Sequence, residues 1–302
     1  MIVNILKERY NRTITNMVCL EGEKNMEKIE KGLRQREFMV MGKNLPWAYH
    51  KALIALHNYG IEVPSNYNTN QREISMKMVV NHPLCEPMIS RLAFTDPKSL
   101  EQYRQEILDG ILDFEVDYGN WEYTYHRLIE SQIPWAIDKL TNPTFGDIYS
   151  RQAAISLPTE ETRKLASPPC LQNIQYLIRP DEDGELLLHC GVLFRSNDAP
   201  KATFMNAFGL IMLQERMAKE ISAILGCEIK VGQYTHNANS FHVYERDYEM
   251  LKGYVNRIKN QSDLTYDYVG DWDEQMADER ENIAKLVLDL KNRPKKIVKQ
   301  IG

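Results

Sequence analysis

A predicted β-hairpin followed by a long apolar helix constrains the fold of this chain more than any other feature. The segments QNIQYLIR and ELLLHCGVLFRS are rich in strand-forming residues and are joined by PDEDG. Within this join, Asp183-Gly184 is a strong signal for a two-residue turn, because both residues tolerate positive φ angles. The chain continues through ATFMNAFGLIMLQERMAKEISAIL, whose apolar residues recur at helical spacing as far as the capping Gly226.

Further strand and helix signals surround this unit. Downstream, EIKVGQYTH and NSFHVYER are predicted as two separate strands. Upstream, the patterns predict a helix over 47–59, a strand over 72–80, a helix capped by Ser99 and a short helix over IPWAIDKL. This mixture indicates an α+β fold with helices packed on a sheet. We interpret the polar residues 1–35 as an N-terminal arm and residues 36–302 as a single domain.

Composition and charge narrow the class of protein. Of the 302 residues, 43% are hydrophobic and 26% are charged. No apolar stretch approaches the roughly 18 residues that a membrane span needs, and no leader pattern precedes the domain. A formal net charge of -5 gives no overall attraction to nucleic acid. We therefore expect a soluble, cytoplasmic protein with neither membrane nor nucleic-acid partners.

Cys170 is the cysteine with a suggestive setting, because it follows two prolines and precedes a predicted strand. The two-residue turn would place it opposite Asn197 and beside Arg195. A guanidinium near a thiol favours the thiolate, which is the nucleophilic form. An ordinary strand-edge thiol beside a surface arginine is the alternative. The five cysteines are scattered without a CxxC pair, which argues against disulfides and a structural metal site: Cys19, Cys85, Cys170, Cys190 and Cys227.

Two further polar features lie downstream. His242 and Tyr244 are two residues apart on a predicted strand, so their side chains leave the same face and suit a sugar hydroxyl; an aromatic pair in a core is the alternative. Asn206 lies within an apolar helical face, where an amide needs hydrogen-bond partners. It suits the edge of a nucleobase, and a local helix-terminal bond is the alternative.

Five segments together resemble the thymidylate synthase family in order and spacing: PPC, QYLIR, RSND, the FMNAFGL around Asn206, and HVY. The resemblance covers about a third of the chain, from Ser150 to Tyr248. It implies a mixed sheet packed against a long buried helix, a homodimer with shared sites, and a bacterial, archaeal or phage-infected host cytoplasm. It also implies a pyrimidine nucleoside monophosphate as substrate, 5,10-methylenetetrahydrofolate as one-carbon donor, and no metal.

The resemblance assigns roles residue by residue. Cys170 would add to C6 of the pyrimidine ring, so that C5 becomes the carbon that receives the one-carbon unit. A forked guanidinium suits a phosphate. The remaining ligands implied by the resemblance are Arg195 and Ser196 for the phosphate, Asp198 for the folate pterin, Asn206 for the base, and His242 with Tyr244 for the ribose hydroxyl.

Upstream of these segments the resemblance is thinner. WEYTYHRL is similar to a family segment that makes Tyr125 the active-site tyrosine. Glu106, in YRQEIL, is the candidate for proton transfer through water. Arg151, in YSRQAA, resembles an arginine that reaches the phosphate in the partner subunit. Arg72 is a weaker candidate for a phosphate ligand, since an exposed strand arginine is a simpler interpretation.

Departures from the family pattern bear on the product. Leu171 follows the nucleophile where bacterial members carry histidine, and the chain between Glu106 and Tyr125 is too short for the family's tryptophan-bearing insertion. The usual closing segment at the C-terminus is also missing. These differences favour water over hydride as the final reactant, and hence 5-hydroxymethyl-dUMP over dTMP. Phage deoxycytidylate hydroxymethylases share several segments, but carry an aspartate in place of Asn206, which favours a uracil nucleotide here.

Two alternatives from other classes stay open. A nucleotide-binding relative without turnover would keep the phosphate and ribose ligands but would not need Cys170. A cysteine hydrolase would need a histidine beside Cys170, and His236 and His242 are the candidates.

Overall fold

A computed structural model describes residues 36–93, 96–268 and 271–293. The predicted N-terminal arm, residues 1–35, lies outside the described residues, so the division into an arm and one domain stays a prediction. The described strands are β1 (Glu37–Gly42), β2 (Ile61–Pro64), β3 (Asn70–Val80), β4 (Ile89–Ser90), β5 (Ala154–Ser156), β6 (Leu171–Pro180), β7 (Leu186–Phe194), β8 (Asn197–Asp198), β9 (Lys230–Tyr244) and β10 (Thr265–Tyr266). The described α-helices are α1 (Leu45–Tyr59), α2 (Pro97–Asp109), α3 (Phe114–Asp117), α4 (Tyr125–Glu130), α5 (Ile133–Thr141), α6 (Thr203–Leu225), α7 (Tyr248–Asn260) and α8 (Asp271–Lys291).

The strands build one mixed sheet with the order β1-β3-β9-β7-β6-β5. The β1/β3 and β7/β9 pairs are parallel, whereas β3/β9, β6/β7 and β5/β6 are antiparallel. Two short strands join from the side, β2 on β3 and β8 on β9. The predicted α+β fold with a mixed sheet is therefore confirmed.

Helix α6 is the long buried helix that the apolar spacing predicts. Its 23 residues end at Gly226, which adopts the left-handed conformation that favours glycine (φ 67°). Phe208, Ile211 and Leu213 are fully buried against the sheet. At about 25 cal/mol per Å² of apolar area, each such side chain contributes roughly 1.5–3 kcal/mol, which makes this interface the centre of the core.

The hairpin between β6 and β7 forms, but the predicted two-residue turn is wrong. Asp181 N–H donates to the Glu185 carbonyl at 2.9 Å, so the loop contains the three residues between them. Gly184 adopts φ 83°, as in the three-residue loop that combines a type I turn with a bulge. An Asp-Gly pair serves both turn types, and the register is consequently shifted by one residue from the predicted one.

Strand β9 is one continuous strand, not the two predicted ones, and it carries a bulge. Ile74 pairs with Phe241 and Met76 pairs with Ala238, so two residues of β9, Asn239 and Ser240, lie opposite one residue of β3. The extra residue reverses the alternation. Ala238 and Phe241 both face the core although three positions separate them, and the residues beyond the bulge exchange faces.

The remaining predicted helices are present, with one different start. Helix α1 and the IPWAIDKL helix (α5) form as predicted. Helix α2 begins at Pro97 and is capped by Asp96, whose carboxylate accepts from the Ser99 N–H at 2.7 Å. The predicted N-cap Ser99 is thus wrong, because aspartate followed by a proline outcompetes a serine inside the first turn.

Candidate active site

Cys170 lies in a short loop that Arg195 holds in place. The Arg195 guanidinium donates from Nε to the Pro169 carbonyl at 3.2 Å and from Nη2 to the Pro168 carbonyl at 2.7 Å. The Arg195 backbone N–H donates to the Cys170 carbonyl at 2.9 Å. The predicted neighbourhood of Cys170 and Arg195 is confirmed, although the residue opposite Cys170 is Arg195, not Asn197. The thiol is free and partly exposed, so it can be reached by a ligand.

Two tyrosines stand beside the Cys170 loop. The Tyr125 hydroxyl accepts a hydrogen bond from the Leu171 N–H at 3.3 Å, and the ring centroids of Tyr123 and Tyr125 are 5.7 Å apart. Burial, followed by the proximity of Tyr123 and Cys170, raises the pKa of Tyr125 well above its usual range. The Tyr125 hydroxyl is therefore neutral, and it contacts the backbone of the residue that follows Cys170.

A cavity of about 170 Å³ adjoins these tyrosines. Glu106 from α2, Tyr125 from the start of α4 and Trp121 from the loop before α4 all line it. Tyr103 lies one helical turn before Glu106 and also lines this cavity. The indole of Trp121 is 43% exposed. The structure thus brings Glu106 and Tyr125 together and adds an exposed indole to their wall.

Glu106 is a carboxyl group whose ionisation works against folding. Burial raises the pKa of Glu106, and the hydrogen bond from Gln102 opposes this effect. A carboxyl group with a higher pKa in the folded chain binds more protons there, so stability falls as the pH rises through that pKa. We expect the Glu106→Gln variant to be more stable than the wild type at about pH 8, with the difference vanishing at about pH 4. Thermal denaturation across this range measures it.

Glu160 supplies the matched control for that measurement. Its exposed carboxylate forms an i,i+4 ion pair with Lys164 at 2.8 Å, which contributes little to stability. The Glu160→Gln variant should keep the pH dependence of the wild type. An unchanged pH dependence in Glu106→Gln as well would show that the folded protein does not hold this carboxyl group in its neutral form.

His242 and Tyr244 leave the same face of β9, as their spacing predicts, with ring centroids 4.9 Å apart. His242 Nδ1 lies 3.4 Å from Ser196 Oγ, and Ser196 follows Arg195 directly. His242 Nε2 is buried and has no hydrogen-bond partner within the described part of the chain. A buried nitrogen without a partner costs free energy, so a ligand hydroxyl would stabilise this position.

Asp198 and Asn206 lie on either side of the same short segment. Asp198 pairs with His242 in the β8/β9 register, and burial raises the pKa of its carboxyl group. Asn206 is in the first turn of α6 and is 7% exposed. Its Nδ2 donates to the Tyr103 hydroxyl at 2.5 Å, and its Oδ1 accepts from Asn197 at 2.9 Å. The predicted base reader therefore contacts Tyr103, a residue of the cavity lining.

The comparison of sequences agrees with this geometry. The sequence model described as Thymidylate synthase matches residues 113–297, more than half of the chain. The chain belongs to the thymidylate synthase family. Members of this family are one-carbon transferases that bind a nucleotide and a folate, with methylenetetrahydrofolate as the donor. One relative, from Methanocaldococcus jannaschii, bears the name "Putative thymidylate synthase"; it is 30% identical over 68% of this chain and 91% of its own length.

Other members of the thymidylate synthase family give the same result. A protein of the same name from Methanosarcina barkeri is 28% identical over 73% of this chain and 95% of its own length. The solved structure of thermostable thymidylate synthase A from Bacillus subtilis superposes with a TM-score of 0.53 at 18% identity, covering 70% of this chain and 84% of that one. The second match shows a shared fold.

Two arginines implied by the thymidylate synthase resemblance lie away from the Cys170 loop. Arg151 is exposed in the loop before β5. Arg72 stacks over the Tyr248 ring at 4.4 Å, and its Nε is 4.0 Å from Glu62. On β3 it pairs with Val243, whereas Glu73 pairs with His242, so Arg72 leaves the opposite face of the sheet from His242. The structure does not bring Arg72 into the site.

The structure changes the interpretation of two departures from the thymidylate synthase pattern, Leu171 and the short segment between Glu106 and Tyr125. The Leu171 side chain is only 1% exposed and packs in the core, and it is not part of the lining of the cavity beside Tyr125. Trp121 lies on the cavity wall although the segment that carries it is short. Both observations remove support from the sequence argument that the final reactant is water.

Sequence reasoning missed the tyrosines and the indole that line the cavity, namely Tyr103, Tyr123 and Trp121. The one-turn spacing between Tyr103 and Glu106 was an available signal. It also missed the pairing of Asn197 with His236, which are 39 positions apart. His236 is engaged there and with Tyr234, and the described contacts include no hydrogen bond from His236 or His242 to Cys170, which leaves a cysteine hydrolase without its base.

Three general expectations concern the whole chain. Cys85, Cys170, Cys190 and Cys227 are all free thiols. None of the helices that the structure describes combines the length and apolar character needed to cross a membrane. The same residues hold no group of three or more side chains suited to bind a metal ion.

Proposed function

We propose that this protein transfers a one-carbon unit from methylenetetrahydrofolate to C5 of dUMP, through a covalent bond between Cys170 Sγ and C6 of the uracil ring. One observation carries the proposal: a partly exposed thiol lies in a loop fixed by Arg195 and beside the neutral hydroxyl of Tyr125. A nucleophile, a cation and a proton-handling group within one site are the parts that covalent catalysis on a phosphorylated substrate needs.

The nucleotide fits between the Cys170 loop and the end of β9. Arg195 and Ser196 bind the 5'-phosphate, because the guanidinium has donors beyond the two that hold the Pro168 and Pro169 carbonyls. His242 and Tyr244 bind the deoxyribose hydroxyl. The unpartnered His242 Nε2 supports this assignment, because it leaves one ring nitrogen free for the hydroxyl. Ribose carries a 2'-hydroxyl that deoxyribose lacks, and His242 and Tyr244 do not exclude it. The product analysis therefore includes ribonucleotides and deoxyribonucleotides.

Two side chains suit the donor, Trp121 on the cavity wall and Asp198 beside His242. Methylenetetrahydrofolate, when bound, supplies the one-carbon unit. The exposed Trp121 indole offers a flat apolar surface for its rings. Asp198, whose pKa is raised by burial, offers a carboxyl group that donates as well as accepts to the polar edge of the pterin.

The protein's own groups carry the proton movements. Cys170 Sγ forms a bond to C6, which places electron density on C5 and on the ring carbonyl. Glu106 has a raised pKa and holds its proton in the folded protein more readily than in solution, so it can supply a proton to that carbonyl through water and take it back. Tyr125 accepts a hydrogen bond from the Leu171 N–H and thereby orients the Cys170 loop; a water molecule takes the proton that leaves C5, and Cys170 leaves C6 when the product forms.

We also propose a homodimer in which Arg151 contacts the phosphate bound by the partner. Arg151 is exposed, and no hydrogen bond or ion pair engages its guanidinium within the residues described. The sheet face opposite α6 carries half-buried apolar side chains, including Leu177, Leu187 and Leu193. A second copy of the chain would cover these residues in an isologous interface.

Methylation to dTMP is the product that the site supports best. Trp121 keeps an indole against the cavity, and Leu171 packs in the core, so two of the three departures that favoured water have no counterpart in the site. The third, the missing closing segment at the C-terminus, falls on residues 294–302, which lie outside the described part of the chain. Hydroxymethylation to 5-hydroxymethyl-dUMP is the second candidate. It is carried by the resemblance of CLQNIQYLIR, RSND and SFHVY to deoxycytidylate hydroxymethylases, and its substrate alternatives are dCMP and CMP.

Product analysis separates these outcomes. The protein is incubated with methylenetetrahydrofolate and each of dUMP, dCMP, UMP and CMP, and the nucleotide product is weighed by mass spectrometry. We expect a methyl product from dUMP with dihydrofolate formed in equal amount, because only hydride transfer oxidises the folate. A hydroxymethyl product without dihydrofolate would overturn methylation. Tight nucleotide binding without any product would overturn the enzymatic function and leave a binding relative.

A further inference from the structure

A chain of buried hydrogen bonds connects the sheet to the cavity. It runs from the Tyr234 hydroxyl to His236 Nδ1 at 3.0 Å, and from His236 Nε2 to Asn197 Oδ1 at 2.9 Å. It continues from Asn197 Nδ2 to Asn206 Oδ1 at 2.9 Å, and from Asn206 Nδ2 to the Tyr103 hydroxyl at 2.5 Å. Tyr234 and His236 are fully buried, whereas Tyr103 lines the cavity. One end of the chain is therefore enclosed and the other end meets the site.

His236 determines which group donates and which accepts in each of these hydrogen bonds. Burial lowers the pKa of His236 to about 3, so the ring is neutral and has one donor and one acceptor nitrogen. If Nε2 donates to Asn197, then Nδ1 accepts the Tyr234 proton and each later group donates towards Tyr103. If every bond is reversed, Nδ1 donates to Tyr234 and the proton of the Tyr234 hydroxyl has no acceptor among the described residues.

The direction towards Tyr103 is the more stable one. An enclosed hydroxyl proton without an acceptor destabilises the fold, because its hydration is lost and not replaced, and Tyr234 is 0% exposed. Thr203 Oγ1 lies 2.7 Å from Asn197 Oδ1 and 3.1 Å from the Asp198 carbonyl, so its hydroxyl is satisfied in either direction and the buried Tyr234 proton decides. The Tyr103 oxygen then accepts from Asn206 and keeps its own proton, for which no described residue provides an acceptor. That proton is left for whatever occupies the cavity.

Helix α6 is shaped to hold Tyr103 at this place. A Cβ atom added at Gly209 would lie 3.2 Å from the Tyr103 ring, so glycine lets the ring lie directly on the helix. Glycine is less favourable than alanine inside a helix, so its presence here indicates that space for the ring matters. Gly209 follows Asn206 by one turn, and the two residues together fix the position of the ring and of its hydroxyl.

We propose that Tyr103 is a substrate-contacting residue that donates its hydroxyl proton to the 4-carbonyl of a uracil nucleotide and thereby disfavours the 4-amino group of cytosine. Asn206, Asn197 and His236 act behind it as positioning residues that set the direction of the donor. This inference rests on the proposed function, since it concerns the base bound beside Cys170. According to this proposal, the hydroxyl of Tyr103 on α2 distinguishes uracil from cytosine.

The test measures nucleotide binding without folate, so that it does not depend on turnover. Calorimetry gives the affinity of the wild type and of the Tyr103→Phe variant for dUMP, for dCMP and for the 2-pyrimidinone deoxynucleotide, which lacks the 4-oxygen. We expect the wild type to bind dUMP about 10-fold more tightly than the other two. We expect Tyr103→Phe to bind all three within about 2-fold of one another.

Tyr176→Phe is the matched control. Tyr176 is a fully buried tyrosine of the same core, and its hydroxyl has no hydrogen-bond partner in the described residues. Its variant should keep the 10-fold preference, since the removed hydroxyl is outside the chain. Equal loss of the preference in Tyr176→Phe and Tyr103→Phe would overturn the proposal, because it would reflect a general loosening of the core.

A second variant tests the direction of the hydrogen bonds at Tyr234, the end of the series farthest from the cavity. Tyr234→Phe removes the donor that holds His236 in one tautomer, while leaving the cavity lining intact. We expect the preference for dUMP over dCMP to fall to about 3-fold or less, with both affinities measurable. A purely structural role for Tyr234 would weaken the two nucleotides equally and keep their ratio, and this result would overturn the positioning role of His236.

The outcomes separate this inference from the function on which it rests. If the wild type binds none of the pyrimidine nucleotides, the proposed function fails. If the wild type prefers dUMP and Tyr103→Phe keeps the preference, the proposed function stands and the role of Tyr103 is overturned. If Tyr103→Phe does not fold, the wild-type affinities for dUMP and the 2-pyrimidinone deoxynucleotide still decide, because equal binding shows that no donor meets the 4-oxygen.

Discussion

Replacing Cys170 by serine is expected to lower the rate of product formation from dUMP by at least about 10³-fold. A serine hydroxyl keeps the size and the hydrogen bonding of the side chain, but it is a far weaker nucleophile than a thiolate. The loop is held through the Pro168 and Pro169 carbonyls and the Cys170 carbonyl, none of which changes. Nucleotide affinity should therefore stay within about 3-fold of the wild type while turnover is lost.

The chemical trap for this prediction is 5-fluoro-dUMP with methylenetetrahydrofolate. Mass spectrometry of the denatured wild type should detect an adduct on the peptide that contains Cys170, and the Cys170→Ser variant should give none. Cys227→Ser is the control, because that thiol is exposed at the far end of α6. An adduct that persists in Cys170→Ser, or disappears in Cys227→Ser, would refute the assignment of the nucleophile.

Removing the Arg195 guanidinium is expected to reduce kcat/KM for dUMP by about 100-fold or more. Each charge-assisted hydrogen bond to a phosphate contributes roughly 1.5–3 kcal/mol. The same change frees the Pro168 and Pro169 carbonyls, so kcat should fall together with the rise in KM. Arg195→Lys retains the charge but not the fork, and we expect it to recover part of KM but little of kcat.

Arg179→Ala is the control for Arg195. Arg179 lies near the other end of β6, and its guanidinium donates to the Tyr149 and Ile178 carbonyls. Loss of this second arginine changes the charge of the protein equally but leaves the Cys170 loop intact. Steady-state kinetics that show equal losses for Arg179→Ala and Arg195→Ala would contradict a specific role for Arg195 at the phosphate.

Local patterns were sufficient for most of the secondary structure. The apolar spacing of α6 and its terminal Gly226 predicted a helix that forms with both features. The Asp183-Gly184 pair predicted a hairpin but not its loop length, because the same dipeptide closes two-residue and three-residue loops. The sequence was divided into two strands at Asn237 and Ala238, whereas β9 runs through both residues and its bulge falls at Asn239 and Ser240.

Sequence reasoning placed side chains together where they are adjacent in sequence, and it missed contacts that form across the sheet. Arg195, Ser196 and Asp198 belong to one short segment, so their resemblance to a motif placed them together. The link from Asn197 to His236 depends on the parallel pairing of β7 and β9, which no local pattern reports. Leu171 was judged from its neighbour in sequence, although alternation along β6 turns its side chain into the core.

The bulge at Asn239 and Ser240 decides which face of the sheet His242 and Tyr244 occupy. This orientation depends on the number of residues in the bulge more than on their identity. Before the bulge, His236 and Ala238 point to the core; after it, Phe241 and Val243 do so, and His242 and Tyr244 are released to the other face. Substitution of either bulge residue should leave this geometry intact, because the bulge depends on the extra residue and not on its side chain. Deletion of one residue there would turn His242 and Tyr244, the proposed ribose ligands, towards the core and Phe241 and Val243 away from it, so the length of this segment matters for the proposed site.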